Sequence, residues 1–364
     1  MGRRNSSKRR GRHRNLSLEF PEIFLSDEAD GEDGAASRLA EATKGLGVRS
    51  PYVVASVHGK RLAEMVTGGR KLETPIRGAD QGWASNLGVR ALAQEADAIV
   101  AIGGGRCLDV AKLAAARSGL TVIAVPTQLS HDGICSPVAV VPNAEGRTES
   151  IGAVAPIAVF VSLPTLMGAP AASVVAGVGD LLANPLALRD WALAADKELE
   201  EIDQRAWDLS VRSFELIEPY LDGNLGKAND DPKFLNTLAE ALILSGMSMI
   251  CAGTSRPASG AEHEISHALD ERFGARAMHG AQVAFGAIFS VALYGEDTDA
   301  FRRRLGTIGL PEHPRDLQLS EQDLVDLLLY APATRPGRFT ILEDSNLDER
   351  SARQLIKRIW EGSF

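Results

Sequence analysis

Aromatic side chains are scarce in this chain, with 4 Trp, 4 Tyr and 11 Phe among 364 residues. Alanine, valine, leucine and glycine are abundant instead, which fits an α/β or helical architecture. Cysteine is nearly absent. Cys107, Cys135 and Cys251 show no C-x-x-C spacing, so a reducing cytoplasm is the expected compartment. Acidic residues are missing from the first 14 positions, which carry seven Lys/Arg. This stretch also lacks an apolar core, so it is not expected to be a secretory signal. Residues 1–15 read as a disordered basic arm. Such an arm serves targeting or polyanion contact, or it is a start-site extension or solubilising tail with no role. Without those 14 positions the chain has 32 basic against 48 acidic residues, a net −16 that repels nucleic acid. No nucleic-acid partner is expected for the folded body.

Charge is also missing over residues 152–179. Pro156, Pro164 and Pro170 cut this stretch into pieces shorter than a bilayer requires, so no membrane span is expected. It reads as a buried strand (IAVFVSL, 157–163), a turn and the start of a buried helix.

What is present falls into two halves. PYVVASV (51–57), ADAIVAIGGG (96–105) and TVIAVPT (121–127) read as strands, with helices near 59–66 and over 109–120. Gly119 is the expected helix stop. This spacing predicts βαβ units and a parallel sheet in an N-terminal α/β domain over 16–164. After Leu163 the strand pattern ends. Helical periodicity takes over at 173–200, 203–221, 232–251, 260–272, 280–294, 321–330 and 348–360. An all-helical domain is therefore expected over 165–364, with a ligand cleft between the halves.

Gly103, Gly104 and Gly105 join a strand to a helix. Glycines let the backbone approach a pyrophosphate, and the helix N-terminus offers unpaired N–H groups. The turn is not a Walker A loop, because no Gly-Lys-Ser/Thr follows; it could equally be a tight packing turn. Asp109 and Lys112 are either a solvated pair or an anchor beside the ligand. The loop 126–137 should emerge at the same sheet edge. It offers Thr127, Ser130, His131, Asp132 and Ser136, which suit a nucleotide and a polyol, or simply a polar turn.

His263-Glu264-Ile265-Ser266-His267 fits the H-E-x-x-H pattern of zinc proteases. The metzincin continuation fails, since its Gly and His positions hold Asp270 and Phe273. Between Glu271 and Glu296 there is no acid to complete another protease site. Ser259 and Glu262 read as a capping box, which would leave Glu264 facing solvent. Asp180 lies in an apolar run, where a lone carboxylate needs a partner. Together with His263 and His279 it makes a donor set for one divalent ion.

GGGRCLDVAK, PTQLSHDGICSP, AGVGDLLAN, SRPASGAEHEISHALD and MHGAQVAFG, in this order, resemble the sn-glycerol-1-phosphate dehydrogenases. These belong to the superfamily of metal-dependent alcohol dehydrogenases, glycerol dehydrogenases and 3-dehydroquinate synthases. The resemblance covers residues 50–345 and includes RPGRFTILE. It implies a Rossmann-like NAD(P)-binding domain, a helical metal domain, and a homo-oligomer acting on a small phosphorylated substrate. It maps metal ligands onto Asp180, His263 and His279, with Zn2+ expected and Ni2+ or Fe2+ as alternatives. His267 falls near the substrate, as a contact or proton relay. Gly103, Gly104, Gly105 and Asp109 match the cofactor loop, Thr127 and Ser130 lie beside the nicotinamide, Ser136 joins them, and Asp132 contacts substrate. Arg256 is either a phosphate contact or a salt bridge at the helix entry.

Two departures stand out. His279-Gly280-Ala281 replaces the usual His-Gly-Glu. Ser56-Val57-His58 lacks the acid that often reads the adenosine ribose, which leaves NADPH open beside NADH. The expected reaction is reduction of dihydroxyacetone phosphate to sn-glycerol 1-phosphate. The alternatives are a related reductase or cyclase acting on another phosphorylated, phosphonate or polyol carbonyl compound, or a non-catalytic relative.

Overall fold

The computed structural model describes residues 20–67, 73 and 79–360. The basic arm and the expected start of order near Leu16 lie outside them. Five parallel strands form the main sheet in the order β1-β7-β4-β3-β2: β1 (Glu22–Ser26), β2 (Pro51–Ala55), β3 (Ala98–Gly103), β4 (Thr121–Pro126) and β7 (Ala158–Ser162). Four of these match the expected runs; β1 does not, because this edge strand is largely exposed and EIFLS carries only the short apolar run Ile23-Phe24-Leu25. Between β4 and β7 a hairpin of β5 (Val138–Pro142) and β6 (Thr148–Gly152) forms a separate antiparallel ribbon.

Helices α1 (Gly31–Gly45) and α2 (Lys60–Thr67) pack on one face of the sheet, and α3 (Gln81–Ala93) and α4 (Gly105–Ser118) on the other. Val100 and Ile102 point to the first face, Ile99 and Ala101 to the second. Burial on both sides explains why β3 is a continuous apolar run rather than an alternating one. Gly119 ends α4 in the left-handed region, at φ +70°, as expected.

After β7 the chain is helical: α5 (Leu163–Met167), α6 (Ala171–Leu181), α7 (Asn184–Asp196), α8 (Gln204–Ile217), α9 (Pro232–Ala252), α10 (Ala261–Phe273), α11 (His279–Leu293), α12 (Thr298–Ile308), α13 (Glu321–Tyr330), α14 (Ile341–Ser345) and α15 (Glu349–Ile359). The single helix expected over 173–200 is two. Pro185 has no N–H to give and its ring crowds the carbonyl four residues back, so the helix stops and restarts as α7. The stretches Ala171–Asp196 and Pro232–Ala252 are long and apolar enough to cross a membrane. Their apolar windows are 83% and 67% buried inside the fold, as core helices are.

One core runs without a break from the α3/α4 face of the sheet into the helical half. Its tightest joint is the crossing of α6 and α11. A Cβ at Gly280 would lie 1.9 Å from the Ala176 carbonyl oxygen, and one at Gly179 would lie 2.5 Å from that of Gly280. The two backbones therefore touch. Gly177 makes the same kind of contact with the loop after β4, where a Cβ would come 2.2 Å from the Leu129 carbonyl oxygen. Gly280→Ala is expected to lower stability by about 1–3 kcal/mol through overpacking. It should also reduce metal content, because it pushes α11 off α6. Urea midpoints and metal analysis of the purified variant check both.

Candidate metal centre and cofactor cleft

The register of the sheet builds one side of the cleft. Gly103 at the end of β3 lies opposite Pro126 at the end of β4. The glycine turn and the 127–136 loop thus leave the sheet side by side, joined by Thr127 N donating to Gly103 O at 3.0 Å. Gly104 is the N-cap of α4 and no side chain caps that terminus. Its first N–H groups are left to an anion or water. Thr127, Ser130 and Ser136 are buried in the adjoining loop. Asp109 and Lys112 are buried too, and form an ion pair at 2.9 Å. Lys112 Nζ donates to the carbonyls of Gly133 (2.8 Å), Ser136 (3.3 Å) and Val138, and Asp109 accepts from Val140 N (3.2 Å). The pair is no solvated surface feature; it fastens the loop and the β5–β6 hairpin onto α4. His131 lies over the start of α4, where a Cβ at Gly105 would sit 2.1 Å from its Nε2.

The helical half builds the other side. Asp180 ends α6, His263 lies in the first turn of α10, and His279 opens α11. One donor atom from each falls within 4.8 Å of the others. Asp180 Oδ1 lies 3.8 Å from His263 Nε2 and 3.7 Å from His279 Nε2. This oxygen is buried and accepts no hydrogen bond, while Oδ2 accepts from Asp132 N at 2.9 Å. Burial, with the charges of Asp132 and Glu262 adding to it, pushes the Asp180 carboxyl well above its usual range. Burial holds His263 and His279 well below theirs, so both imidazoles are neutral and keep a lone pair. Glu262 Oε1 meets His263 Nδ1 at 3.0 Å, which turns Nε2 towards Asp180. An orphaned carboxylate oxygen facing two neutral imidazoles is a donor set that could hold a divalent cation, and the cation would relieve the cost of burying Asp180.

Asp132 and His267 line the same cleft as the histidine donors. Asp132 accepts from Ser245 Oγ at 2.9 Å, and burial lifts its carboxyl to about 6. The His267 ring centre is 6.4 Å from those of both His263 and His279. It stands beside the donor set and is not part of it.

Two sequence expectations are corrected, and the alternative left open at Arg256 is decided. Ser259 does not cap α10; Gly260 is the N-cap, and the exposed N–H groups are taken by Glu262 and Asp190, with Asp190 Oδ2 accepting from Ala261 N at 2.7 Å. Glu264 does not face solvent. It is fully buried, because residues 334–341 fold across α10 and Thr340 Oγ1 donates to Glu264 Oε2 at 3.0 Å. Burial raises its carboxyl to about 9, so it is a neutral acid at pH 7. Arg256 is the salt bridge at the helix entry: it is buried, pairs with Glu200, and donates to Phe339 O at 2.8 Å. Sequence reasoning missed Arg335, which lines the cleft, and Arg338 behind it. Their signal was RPGRF, two bases spaced by a Pro-Gly turn in an otherwise uncharged segment.

A parallel sheet with a glycine turn, closed by a helical half that offers one Asp and two His, defines the class of metal-dependent nicotinamide-linked dehydrogenases. A family model described as iron-containing alcohol dehydrogenase matches residues 32–170. The NAD(P)+-linked glycerol-1-phosphate dehydrogenase of Hyperthermus butylicus is 34% identical over 343 residues, 93% of this chain and 97% of that protein. The Cenarchaeum symbiosum enzyme of the same name is 37% identical over 263 residues, 72% of this chain and 73% of that one. In structure, a probable glycerol dehydrogenase from Sinorhizobium meliloti 1021 covers 93% of this chain and 96% of its own at a TM-score of 0.76; with 21% identity it shares the fold. The chain belongs to the glycerol-1-phosphate dehydrogenase family.

Two sets of variants test this geometry. Asp180→Asn should weaken metal binding by more than the roughly 10–100-fold that loss of a supporting contact costs. Glu262→Ala, behind His263, should fall inside that range; competitive metal titration separates them. Glu264→Gln keeps a neutral amide acceptor for Thr340 and should leave turnover and melting close to wild type. Glu264→Ala leaves a cavity beneath residues 334–341, with Thr340 Oγ1 still donating to Glu343 Oε2 at 2.7 Å, and should cost about 1–3 kcal/mol in denaturant titration.

Proposed function

We propose that this chain reduces dihydroxyacetone phosphate to sn-glycerol 1-phosphate with NADH or NADPH, in a site held together by one divalent metal ion. The observation that carries the reading is the buried, unpartnered Asp180 Oδ1 between His263 and His279, beside the cleft that those histidines share with His131, which lies over Gly105. Kinship with proteins named glycerol-1-phosphate dehydrogenase supports the substrate.

When bound, the ion supplies Lewis acidity at the carbonyl oxygen and the reduced nicotinamide supplies the hydride. Overall, ketone, NAD(P)H and one proton give alcohol and NAD(P)+. Asp180, His263 and His279 hold the ion. Gly103, Gly104, Gly105 and the first turn of α4 take the pyrophosphate, with Asp109 keeping that helix on the loop. Thr127, Ser130 and Ser136 surround the nicotinamide end. Ser56 follows β2 and caps Gly59 N at 3.3 Å. It places no carboxylate there to repel a 2′-phosphate, which supports use of NADPH as well as NADH.

Asp132 and His267 contact the substrate. Arg335 Nε donates to His267 Nδ1 at 3.4 Å, so the ring proton is on Nε2. Burial keeps this histidine neutral. A neutral ring that gave up its only N–H would become an imidazolate, and a relay through Nδ1 would have to break the Arg335 contact. His267 therefore orients the substrate as a hydrogen-bond donor, and water supplies the proton. We place the protein in the cytoplasm, supported by three unpaired, buried cysteines. We expect it to self-associate, supported by half-exposed Ile23 and Leu25 on the edge strand β1.

Purified protein with dihydroxyacetone phosphate and NAD(P)H should consume the nicotinamide absorbance. A chelator should stop the reaction and added divalent metal should restore it. No oxidation overturns the substrate assignment, and a chelator-insensitive rate overturns the metal assignment.

A further inference from the structure

Residues 334–341 cross α10 as a strap. Thr334 Oγ1 donates to Glu264 O at 3.4 Å, Thr340 Oγ1 to Glu264 Oε2 at 3.0 Å, and Ile341 N to Asp190 Oδ1 at 2.8 Å. The strap carries two arginines inwards, and they converge on one oxygen. Arg335 Nη1 and Arg338 Nη2 both donate to Ser255 Oγ, at 2.9 and 3.0 Å. Arg338 also donates to Ser259 O at 2.5 Å, and Arg335 to His267. Neither guanidinium makes an ion pair among the described residues, whereas their neighbour Arg256 is paired with Glu200. The two acids whose fields reach Arg335, Glu262 and Glu264, are engaged with Gly260 and His263, and with Thr340. On the outer rim of the cleft, Glu149 is held by Gln81 and Asn143, and Asp270 by Gln282.

Two half-buried like charges drawn to a single neutral hydroxyl, with no ion pair of their own among the described residues, are a costly arrangement without an anion. Burial weakens the hold of both guanidinium groups on their protons; Glu264 and Glu262 oppose this at Arg335, where Arg256 adds to it, and at Arg338 the charges of Arg335 and Arg256 add to it. Arg335 lines the cleft together with His263, His267 and His279, so an anion on it would lie beside the metal donors. Its planar fork matches two oxygens of a phosphate.

We propose that Arg335, backed by Arg338 and Ser255, is the phosphate-binding end of the substrate site and selects a phosphorylated ketone over its neutral counterpart. Arg335 touches the anion. Arg338 is a positioning residue that holds Ser255 and the strap. The choice of reaction rests on the dehydrogenase reading above; the anion site does not.

The test uses the full metal-loaded chain with Arg335→Gln, Arg335→Lys and Arg338→Gln. Inorganic phosphate binding is measured by calorimetry. kcat and KM are measured for dihydroxyacetone phosphate and for dihydroxyacetone. Arg335→Gln should weaken phosphate binding and lower the kcat/KM ratio of phosphorylated to neutral substrate, each by about 100-fold and mainly through KM. Arg338→Gln should lose about tenfold. Arg335→Lys keeps charge without the fork; it should fall between wild type and Arg335→Gln, and it serves if the glutamine variant does not fold. Unchanged phosphate binding in the Arg335 variants, or an equal fall for both substrates, overturns the proposal. Arg335-dependent phosphate binding in a protein that reduces neither ketone would support the anion site and sink the proposed reaction.

Discussion

The crossing of α6 over α11 is the constraint on which the rest depends. Two helices normally keep 8–10 Å between axes because side chains stand between them. Here Gly179 and Gly280 remove the side chains, and the carbonyls of Ala176 and Gly280 occupy the space a Cβ would need. That contact fixes the end of α6 beside the start of α11, so Asp180 and His279 meet although 99 positions separate them in the chain. α10 then has only to lie alongside α11 for His263 to complete the set. The position of the donors is thus decided by backbone packing, and their chemistry by what burial does to each group.

Burial acts in opposite directions on the two kinds of donor, and both serve the same end. It disfavours charge on Asp180 and on the histidines alike. For the histidines this keeps the lone pair available. For the carboxylate it creates a demand for a cation that no side chain meets. Around this centre a second set of buried charges is resolved differently. Asp190 is shared among Tyr294, Ala261 N and Ile341 N, Arg256 goes to Glu200, and Glu264 stays protonated against Thr340. Asp190 thereby ties both α10 and the strap to α7, Arg256 also donates to Phe339 O on the strap, and Glu264 ties the strap to α10. The strap could not carry Arg335 to the cleft without them.

How much of this was legible in the sequence depended on range. Local signals held for four of the five parallel strands and the αL stop at Gly119, and the structure brings Asp180, His263 and His279 together. The failures at Ser259 and Glu264 share a cause, which is that a distant segment supplied what a local pattern promised. Ser259 looked like a cap, but Asp190 from α7 took the N–H groups. Glu264 looked solvated, because nothing in α10 reveals that residues 334–341 will cover it. Pro185 is a local signal that the reading of one helix over 173–200 did not use. The β5–β6 hairpin falls between the polar loop that ends at 137 and the uncharged stretch that begins at 152 and has no sequence reading, although Asn143 and Gly146 mark its turn.

The H-E-x-x-H match shows why a motif needs its surroundings. In a protease both histidines would bind metal and the glutamate would reach the water. Here His267 is turned aside by Arg335, and Glu264 is closed off under Thr340. Ala281, where the resemblance leads one to expect a glutamate, yields to the same kind of reasoning. The helical period puts position 281 about 200° around α11 from His279. Ala281 accordingly faces a different groove, lined by Val175, Met278 and Leu310 rather than by the histidines. A carboxylate there would point into apolar surroundings on the far side of the helix. Its replacement by alanine removes no ligand from Asp180, His263 and His279, and it spares the chain an unpaired charge against Leu310.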